Sequence, residues 1–154
     1  MSIHTTPVAE FHRAFGHPVE EKLTVGTSKL RALRVSLIAE ELTELAEAIG
    51  VQLSIDADSS KHTVRIVDAT NDDSRVDLIE TADALGDLKY VVEGAALVFG
   101  IPLEPVFMEI HRSNMSKLGT DGKPIYREDG KVLKGPNYTP PNVAAVLAIE
   151  RSPA

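Results

Sequence analysis

The sequence predicts an all-α protein: a bundle of the four-helix type with a small β-hairpin excursion, completed by dimerisation. Two long segments, 27–49 and 75–99, carry apolar residues every three or four positions, which is the period of an amphipathic helix. A third segment, 103–118, follows the same period. Three long helices with only short flanking pieces form a thin bundle, so we expect a homodimer, or a pair of dimers, that shares one helical core.

Composition and charge limit the kind of protein. The 154 residues suit a single domain, 1–154, and contain no cysteine, which fits a reducing compartment and excludes thiolate zinc sites. No apolar run reaches the ~18 residues that span a bilayer, and the N-terminus does not resemble a signal peptide. We therefore expect a cytoplasmic protein with no membrane partner. The net charge of -7 argues against a surface for duplex nucleic acid, but it is compatible with a single nucleotide held through a metal.

The first predicted element is a short helix that Thr6 caps, Pro7 begins and Gly16 ends. Its apolar face carries four side chains: Val8, Phe11, His12 and Phe15. The favoured interpretation is a flap that packs on the main bundle. The alternative is that His12 and one of the phenylalanines contact the ring of a ligand.

The predicted helix 27–49 is unusual because acids occupy its apolar side. The apolar positions of this face are Leu30, Leu33, Leu37, Ile38, Leu45 and Ile49. Glu41 and Glu44 fall on the same face, and Glu40 lies at its edge, one turn before Glu44. Carboxylates buried without partners cost several kcal/mol each, so a positive group is expected to meet them, and a metal ion is the obvious candidate.

Residues 51–74 form the least helical part of the sequence, with alternating and β-branched runs around a polar centre. We expect a loop or a small hairpin inserted between two helices, and the sequence assigns it no function. The helix 75–99 follows, with Asp72, Asp73 and Ser74 available as caps. One stripe of this helix places acids among apolar and small residues: Val76, Glu80, Asp83, Asp87, Tyr90, Val91, Gly94 and Val98.

The helix 103–118 ends before Gly119 and extends its apolar face with Asn114 and Lys117. The apolar positions of that face are Leu103, Val106, Phe107 and Ile110. Residues 119–140 contain two Asp-Gly turns and several lysines, which predict a basic hairpin or loop. A final short helix is expected over 142–150, after two prolines.

The acids on two predicted helices suggest a site for a hard divalent cation, since Mg²⁺ and Mn²⁺ prefer oxygen ligands. A phosphate-bearing substrate would fit this site, because the metal bridges phosphate oxygens while Lys117 and Asn114 bind those that remain. Glu40, at the edge of the acidic face, could then orient and deprotonate the attacking water. The residues alone therefore predict metal-assisted hydrolysis of a phosphoanhydride.

Three sequence blocks together resemble the all-α nucleoside triphosphate pyrophosphohydrolases of the MazG type, with the dimeric dUTPases and phosphoribosyl-ATP pyrophosphohydrolase as relatives. The blocks are EELTE at 40–44, DALGDLKYVVEGAALVFGI at 83–101 and EIHRSNMSK at 109–117, and the resemblance extends over about residues 8–145. It implies the all-α fold of these enzymes, a dimer or tetramer, and the use of Mg²⁺, with Mn²⁺ as the alternative. The implied reaction cleaves a nucleoside triphosphate, with a dNTP as the expected substrate, into monophosphate and pyrophosphate.

The resemblance also implies roles for individual acids. Glu41 and Glu44 would bind the metal from the first long helix and Asp87 from the second, while Glu40 matches the position of the water-activating base.

One position departs from the family pattern. The second acidic motif is usually ExxD, but Ala84 stands three residues before Asp87. We prefer Asp83 with Asp87 as the ligand pair, because both lie at the centre of the stripe. The pair of Glu80 with Asp83 remains the alternative.

The third block and the basic loop supply the candidate substrate contacts. Asn114 and Lys117 would hold phosphates, and Lys131 or Lys134 is expected to close over them. His12 is the candidate contact on the first helix.

The sequence has two alternative interpretations from other classes of function. A di-iron carboxylate bundle is disfavoured because it requires Glu-x-x-His pairs, which the sequence lacks. A non-catalytic nucleotide-binding or helical dimerisation module remains the alternative. The sequence does not identify the base, so non-canonical nucleotides, dUTP, dCTP and phosphoribosyl-ATP are all compatible substrates.

Overall fold

The computed structural model describes residues 6–58, 61–69 and 71–148. These residues form two compact units, 6–100 and 101–148. The helices and strands are α1 (Pro7–Ala14), α2 (Ser28–Ala48), β1 (Val51–Asp58), β2 (Lys61–Ala69), α3 (Leu78–Phe99), α4 (Leu103–Met115) and α5 (Val143–Val146). No single helix in this part of the chain is long and apolar enough to cross a membrane.

The first two helices begin where their capping residues predicted. Thr6 Oγ1 accepts a hydrogen bond from the Ala9 amide at 3.2 Å, and Thr27 Oγ1 accepts one from the Leu30 amide at 3.2 Å. Gly50, which follows α2, adopts the left-handed conformation with φ 69° that a side chain rarely allows. The predicted positions of both helices are confirmed.

The insertion between the long helices is a hairpin, which is one of the two forms predicted for this segment. β1 and β2 pair in antiparallel fashion, from Val51 opposite Ala69 to Asp58 opposite Lys61. At the base of the excursion the amide of Asp77 donates a hydrogen bond to the Ala48 carbonyl at 2.9 Å. The chain therefore leaves α2 and returns to α3 at almost the same point.

Helix α3 begins three residues later than predicted. Asp77 caps it, since its Oδ1 accepts hydrogen bonds from the amides of Ile79 and Glu80 at 2.9 and 3.2 Å. The residues chosen as caps from the sequence belong instead to a separate single turn of 3₁₀ helix, Asp73–Arg75.

Small side chains hold the unit 6–100 together. Helix α2 packs along α3, and α1 packs on α3. The buried apolar residues of the described chain are Val8, Ala9, Ala46, Ala84, Ala96, Leu97 and Val98. Because most of them are alanine or valine, the helices approach closely over a narrow core.

The prediction that the acids lie in buried stripes of α2 and α3 is wrong. Glu44, Glu80, Asp83 and Asp87 are exposed in this chain, and Glu41 is half-buried. On these stretches of α2 and α3 the buried positions are held by the small residues Ala46 and Ala84, and the acids beside them in sequence stay open to solvent. Several large apolar side chains of the same two helices are also exposed: Leu33, Val35, Leu78, Ile79 and Leu85.

The unit 101–148 contains α4, the basic loop and α5. Helix α4 ends at Met115 rather than at the predicted Leu118, because the following turn closes by shorter hydrogen-bonded steps and the Lys117 carbonyl accepts a bond from the Gly135 amide at 2.9 Å. The predicted hairpin in 119–140 is confirmed by the bridge between Tyr126 and Val132. Helix α5 is shorter than the predicted 142–150, whose last two positions lie outside the described residues.

An ion pair fixes the connection between the basic loop and α5. Glu109 Oε1 accepts hydrogen bonds from Arg112 Nη2 at 2.8 Å and from the Asn142 amide at 2.6 Å. Arg112 Nη1 also donates to Thr139 Oγ1 at 2.6 Å. The hydrogen bond from Arg112, followed by that from the Asn142 amide, lowers the pKa of Glu109 from 4.5 to about 2.

We expect Glu109→Gln to loosen residues 139–142. A carboxylate with a depressed pKa stabilises the folded state above its ordinary pKa and loses that contribution as the pH falls through the folded value. Hydrogen exchange of the Asn142 amide should therefore show protection in the wild type that is constant above pH 4.5 and declines toward pH 2. The variant should be weakly protected at every pH.

Glu128→Gln is the matched control, because Glu128 is an exposed acid in the same unit. This control should keep the wild-type profile. Equal, pH-independent protection in the wild type and in Glu109→Gln would contradict the assignment.

Candidate active site

Acids from α2 and α3 gather around Glu41. Burial raises the pKa of Glu41, and the charges of Glu44, Asp87, Glu40 and Asp83 raise it further, in that order. Carboxylates influence one another in this way only when they are close, so the two helices place five acids in one electrostatic neighbourhood. We call these five residues the acidic cluster.

Glu41 is also more buried than the other four acids of the acidic cluster. Its Oε2 atom is buried and accepts no hydrogen bond from the described residues. A buried carboxylate oxygen without a donor is costly, and a cation is the partner that would relieve both the missing bond and the repulsion from neighbouring acids.

The donor set suits a hard divalent cation. Glu41 offers a buried oxygen, and the exposed carboxylates of Glu44, Asp83 and Asp87 offer further oxygens around it. Within the described ranges no three acidic or histidine side chains converge into a finished metal site. The suitability of these residues for a divalent cation therefore rests on two observations: the donors are carboxylate oxygens, and Glu41 Oε2 has no hydrogen-bond partner among the described residues.

The alternative ligand Glu80 stands apart from this neighbourhood. It is exposed on the first turn of α3, and its charge is not among those that act on Glu41. Asp83 and Asp87 both act on Glu41, which favours them as the acids of α3 that accompany it.

Aromatic side chains continue the same face of α3 beyond the acids. Tyr90 follows Asp87 by one helical turn and meets the edge of the Phe11 ring at a centroid distance of 5.7 Å. Phe11 also stacks on Phe15 at 4.3 Å. Helix α1 thus packs on α3 through aromatic contacts next to the acidic cluster.

A buried pair of polar side chains lies at the far end of this face. His12 is 3% exposed and Arg34 is 6% exposed. A Cβ atom on Gly94 would lie 2.9 Å from His12 Nε2 and 3.3 Å from Arg34 Nη1, so the glycine provides the space that both groups occupy. Arg34 was not predicted as a site residue, and Gly94 was predicted only as a member of the stripe on α3.

A signal for Arg34 exists in the sequence. It lies four residues after Leu30 and seven before Glu41, which places a guanidinium on the inward face of α2. A cation on the inward face is as informative as an acid there.

The predicted phosphate-binding residues all belong to the unit 101–148. Lys117 Nζ donates a hydrogen bond to Asn114 Oδ1 at 2.7 Å, so these two predicted partners are together. Lys134 Nζ lies 4.5 Å from the centroid of the Tyr138 ring, and the Lys131 side chain is exposed. Their roles toward a substrate remain predictions.

Comparison with known proteins gives three results. Residues 8–114 match the family model described as phosphoribosyl-ATP pyrophosphohydrolase. An uncharacterized protein of Acanthamoeba polyphaga mimivirus is 31% identical over 131 residues, which is 82% of this chain but only 40% of the viral protein. A crystal structure from Exiguobacterium sp. 255-15, of a protein assigned as an NTP pyrophosphohydrolase, is 25% identical and covers 88% of this chain and 87% of its own, with a TM-score of 0.43.

The family match contains most of the candidate site. It includes the acidic cluster, Arg34, His12 and Asn114, and it ends before Lys117 and the basic loop. The matched range therefore supports the acids more directly than it supports the lysines.

We expect Glu41→Gln to stabilise the metal-free protein at neutral pH. The substitution removes a carboxylate whose raised pKa shows that folding disfavours its charge, so the apo melting temperature should rise. Mg²⁺ should raise the melting temperature of the wild type, by linkage worth about 2.7 kcal/mol at one hundred times Kd, and the variant should need a higher Mg²⁺ concentration to show the same rise.

Glu47→Gln is the control, because Glu47 is exposed on the same helix and is not among the acids that act on Glu41. It should keep the wild-type response to Mg²⁺. A lower apo melting temperature for Glu41→Gln, together with an undiminished Mg²⁺ effect, would contradict the assignment of Glu41.

The same titration identifies the ligands from α3. Asp87→Asn should abolish the Mg²⁺-dependent rise and Glu80→Gln should leave it intact. The opposite pair of results would move the assignment to Glu80 and Asp83.

Proposed function

This chain belongs to the phosphoribosyl-ATP pyrophosphohydrolase family, and from that membership we propose that it hydrolyses a nucleoside triphosphate, namely a dNTP, to the monophosphate and pyrophosphate. The observation that carries the proposal is the acidic cluster around a buried Glu41 oxygen that has no hydrogen-bond partner in the described part of the chain. Such a cluster is suited to holding the divalent cation that accompanies a triphosphate.

The proposed roles divide the acidic cluster into four metal ligands and one base. Glu41, Glu44, Asp83 and Asp87 would hold Mg²⁺, or Mn²⁺, by their carboxylate oxygens. The bound ion supplies Lewis-acid stabilisation of charge on the phosphate oxygens.

Glu40 is the proposed general base. It is exposed at the edge of the acidic cluster, so it can contact a water molecule without giving up an interaction inside the protein. In the proposed step Glu40 takes a proton from the water, the water oxygen bonds to the α-phosphorus, and the bond to the bridging α–β oxygen breaks. Pyrophosphate leaves with the bridging oxygen, and the monophosphate keeps the oxygen of water.

Phosphate binding is assigned to the basic residues of the unit 101–148. Lys117 and Asn114 already contact each other, and together they offer an ammonium and an amide to phosphate oxygens. Lys131 and Lys134 are exposed in the basic loop, and they are the further candidates for phosphate contacts. The chain spans 40% of the viral relative's length. The assignment of phosphate-binding residues concerns this chain alone.

The direct test is a panel of dNTPs incubated with the protein and Mg²⁺, with both products identified. Equal amounts of monophosphate and pyrophosphate are expected. Release of orthophosphate with a diphosphate, or binding without any turnover, would overturn the proposed reaction. The second outcome would favour a non-catalytic nucleotide-binding module.

Glu40→Gln should separate the base from the metal ligands. The amide keeps the size of the side chain but cannot accept the proton, and loss of a general base costs about 10²–10⁴-fold in rate. We expect kcat to fall by that amount while nucleotide binding, measured by calorimetry, is retained.

Glu41→Gln provides the contrast, because it should weaken metal binding and through it nucleotide binding. Excess Mg²⁺ should partly restore the activity of Glu41→Gln and leave Glu40→Gln inactive. If both variants respond to Mg²⁺ alike, the two carboxylates share one role and the distinction is wrong.

We also propose that the chain works as a homodimer or as a pair of dimers, with exposed apolar side chains of α2 and α3 at the interface. Val35 on α2 is 68% exposed, which is unfavourable for an apolar residue on a long helix with a thin core. Light scattering at micromolar concentration should give at least twice the chain mass of 16.6 kDa. Val35→Glu should shift the mass toward the monomer.

Val25→Glu serves as the control, since Val25 is 79% exposed but lies before the helix. Its assembly should match the wild type. A wild-type protein that stays at 16.6 kDa would contradict the proposed assembly.

A further inference from the structure

Arg34 is a buried cation whose hydrogen-bonding capacity is unused. Its side chain is 94% removed from solvent, and neither Nε nor Nη2 has a hydrogen-bond partner among the described residues. These two nitrogens carry parallel N–H groups on one edge of the guanidinium plane, so they form a fork that donates to one oxygen or to two adjacent acceptors. Buried donors of this kind are rarely left unsatisfied unless a ligand completes them.

His12 adds an acceptor near the Nη1 side of the same guanidinium. Its Nδ1 lies 2.9 Å from the Pro18 carbonyl, which can only accept, so Nδ1 carries the hydrogen. Burial, and to a smaller degree the charges of Arg34 and His17, lower the pKa of His12, although the bond to Pro18 opposes them. The imidazole is therefore neutral, and Nε2 presents a lone pair over Gly94, next to the guanidinium.

The position of this pair relative to the acidic cluster matches the length of a nucleotide. On α3 the residues Asp87, Tyr90 and Gly94 follow one another at helical spacing along one face. On α2, Arg34 and Glu41 are seven residues apart, which is two turns, or roughly 10 Å. A nucleotide with its phosphates at the acids would place its base near Tyr90 and the base edge near Arg34 and His12.

We propose that Arg34 and His12 recognise the lactam edge of a nucleobase, in which a ring carbonyl lies next to a ring N–H. The carbonyl oxygen accepts from the Arg34 fork, and the N–H donates to His12 Nε2. Uracil, thymine, guanine and hypoxanthine carry this edge. Cytosine and adenine carry an amino group and a bare ring nitrogen instead, so a donor would face the arginine and an acceptor would face the histidine.

An anion is a poorer occupant of this site. A phosphate or carboxylate oxygen could accept from Arg34, but it would bring another negative group against the lone pair of His12 Nε2. The acids and the metal they would hold also place the phosphates at the other end of the α3 face. The combination of two donors and one acceptor favours an edge that both accepts and donates.

The base reaches the pair through movement of α1. In the conformation described, the Arg34 nitrogens are closed off from solvent, and α1 carries His12 and Phe11 over α3. Displacement of this eight-residue helix would expose the fork, and the incoming base edge would satisfy it when the helix returns.

The proposal rests on the proposed function only for the placement of the phosphates, so its test uses binding without turnover. Calorimetry would compare dUMP with dCMP, and dIMP with dAMP, two pairs whose bases differ only at the edge in question. The wild type should bind dUMP and dIMP about ten to a hundredfold more tightly than their amino counterparts, the range expected for a well-placed bidentate contact. Equal affinities within each pair would overturn the proposal.

Arg34→Met distinguishes recognition from a structural role. Methionine fills a similar volume without donors, and no hydrogen bond of Arg34 Nε or Nη2 is lost. The melting temperature should be unchanged or higher, and the preference within each pair should fall to about twofold or less. A preserved preference would overturn the proposal, as would a lower melting temperature with equal losses for all four nucleotides.

Two further variants complete the design. Arg13→Met, at an exposed arginine next to His12, should keep the wild-type preference. Gly94→Ala should reduce the preference for dUMP and dIMP, because the added Cβ would lie 2.9 Å from His12 Nε2 and must displace the imidazole. An unchanged preference in this variant would count against the proposal. If the protein hydrolyses no dNTP but still prefers dUMP and dIMP, the base site stands and the proposed reaction falls. If the protein hydrolyses dNTPs but shows no preference for the base edge, the proposed reaction stands and the base site falls.

Discussion

The packing of α2 along α3 is the constraint on which the rest of the structure depends. Small side chains are buried on both helices, Ala46 on α2 and Ala84 on α3. This packing brings Glu41 near the acids of the neighbouring helix, although their mutual repulsion opposes it. Proteins tolerate such local conflict mainly at functional sites, where the rest of the fold supplies the missing stability.

Two groups of opposite charge on α2 have buried atoms without a hydrogen-bond partner among the described residues, and they lie at different positions along the helix. Glu41 Oε2 lacks a donor, and Nε and Nη2 of Arg34 lack acceptors. The two groups are on one face of α2 but two turns apart, too far to satisfy each other directly. An elongated ligand with a cation at one end and a hydrogen-bonding edge at the other would be complementary to both.

Local signals predicted most of the secondary structure, and burial was the part they could not supply. Thr6 and Thr27 identify their helices because a capping side chain acts within three residues of its own position. The start of α3 was misplaced because several acids in 72–77 can cap, and only the fold selects Asp77. The acids were expected in a buried stripe, but helical spacing gives the direction of a side chain and says nothing about how much protein covers it. Arg34 was not predicted because the apolar spacing of α2 continues on both sides of it, and a single cation does not interrupt that pattern.

The hydrogen bond between the Asp77 amide and the Ala48 carbonyl has a consequence for how this fold can vary. It joins the two ends of the β1–β2 excursion directly, whatever path the chain takes between them. The entropy of closing such a loop grows only slowly with its length. Related chains can therefore lengthen, shorten or replace the hairpin at little energetic penalty, which makes this junction a natural place for lineages to diverge and for a reporter domain to be grafted.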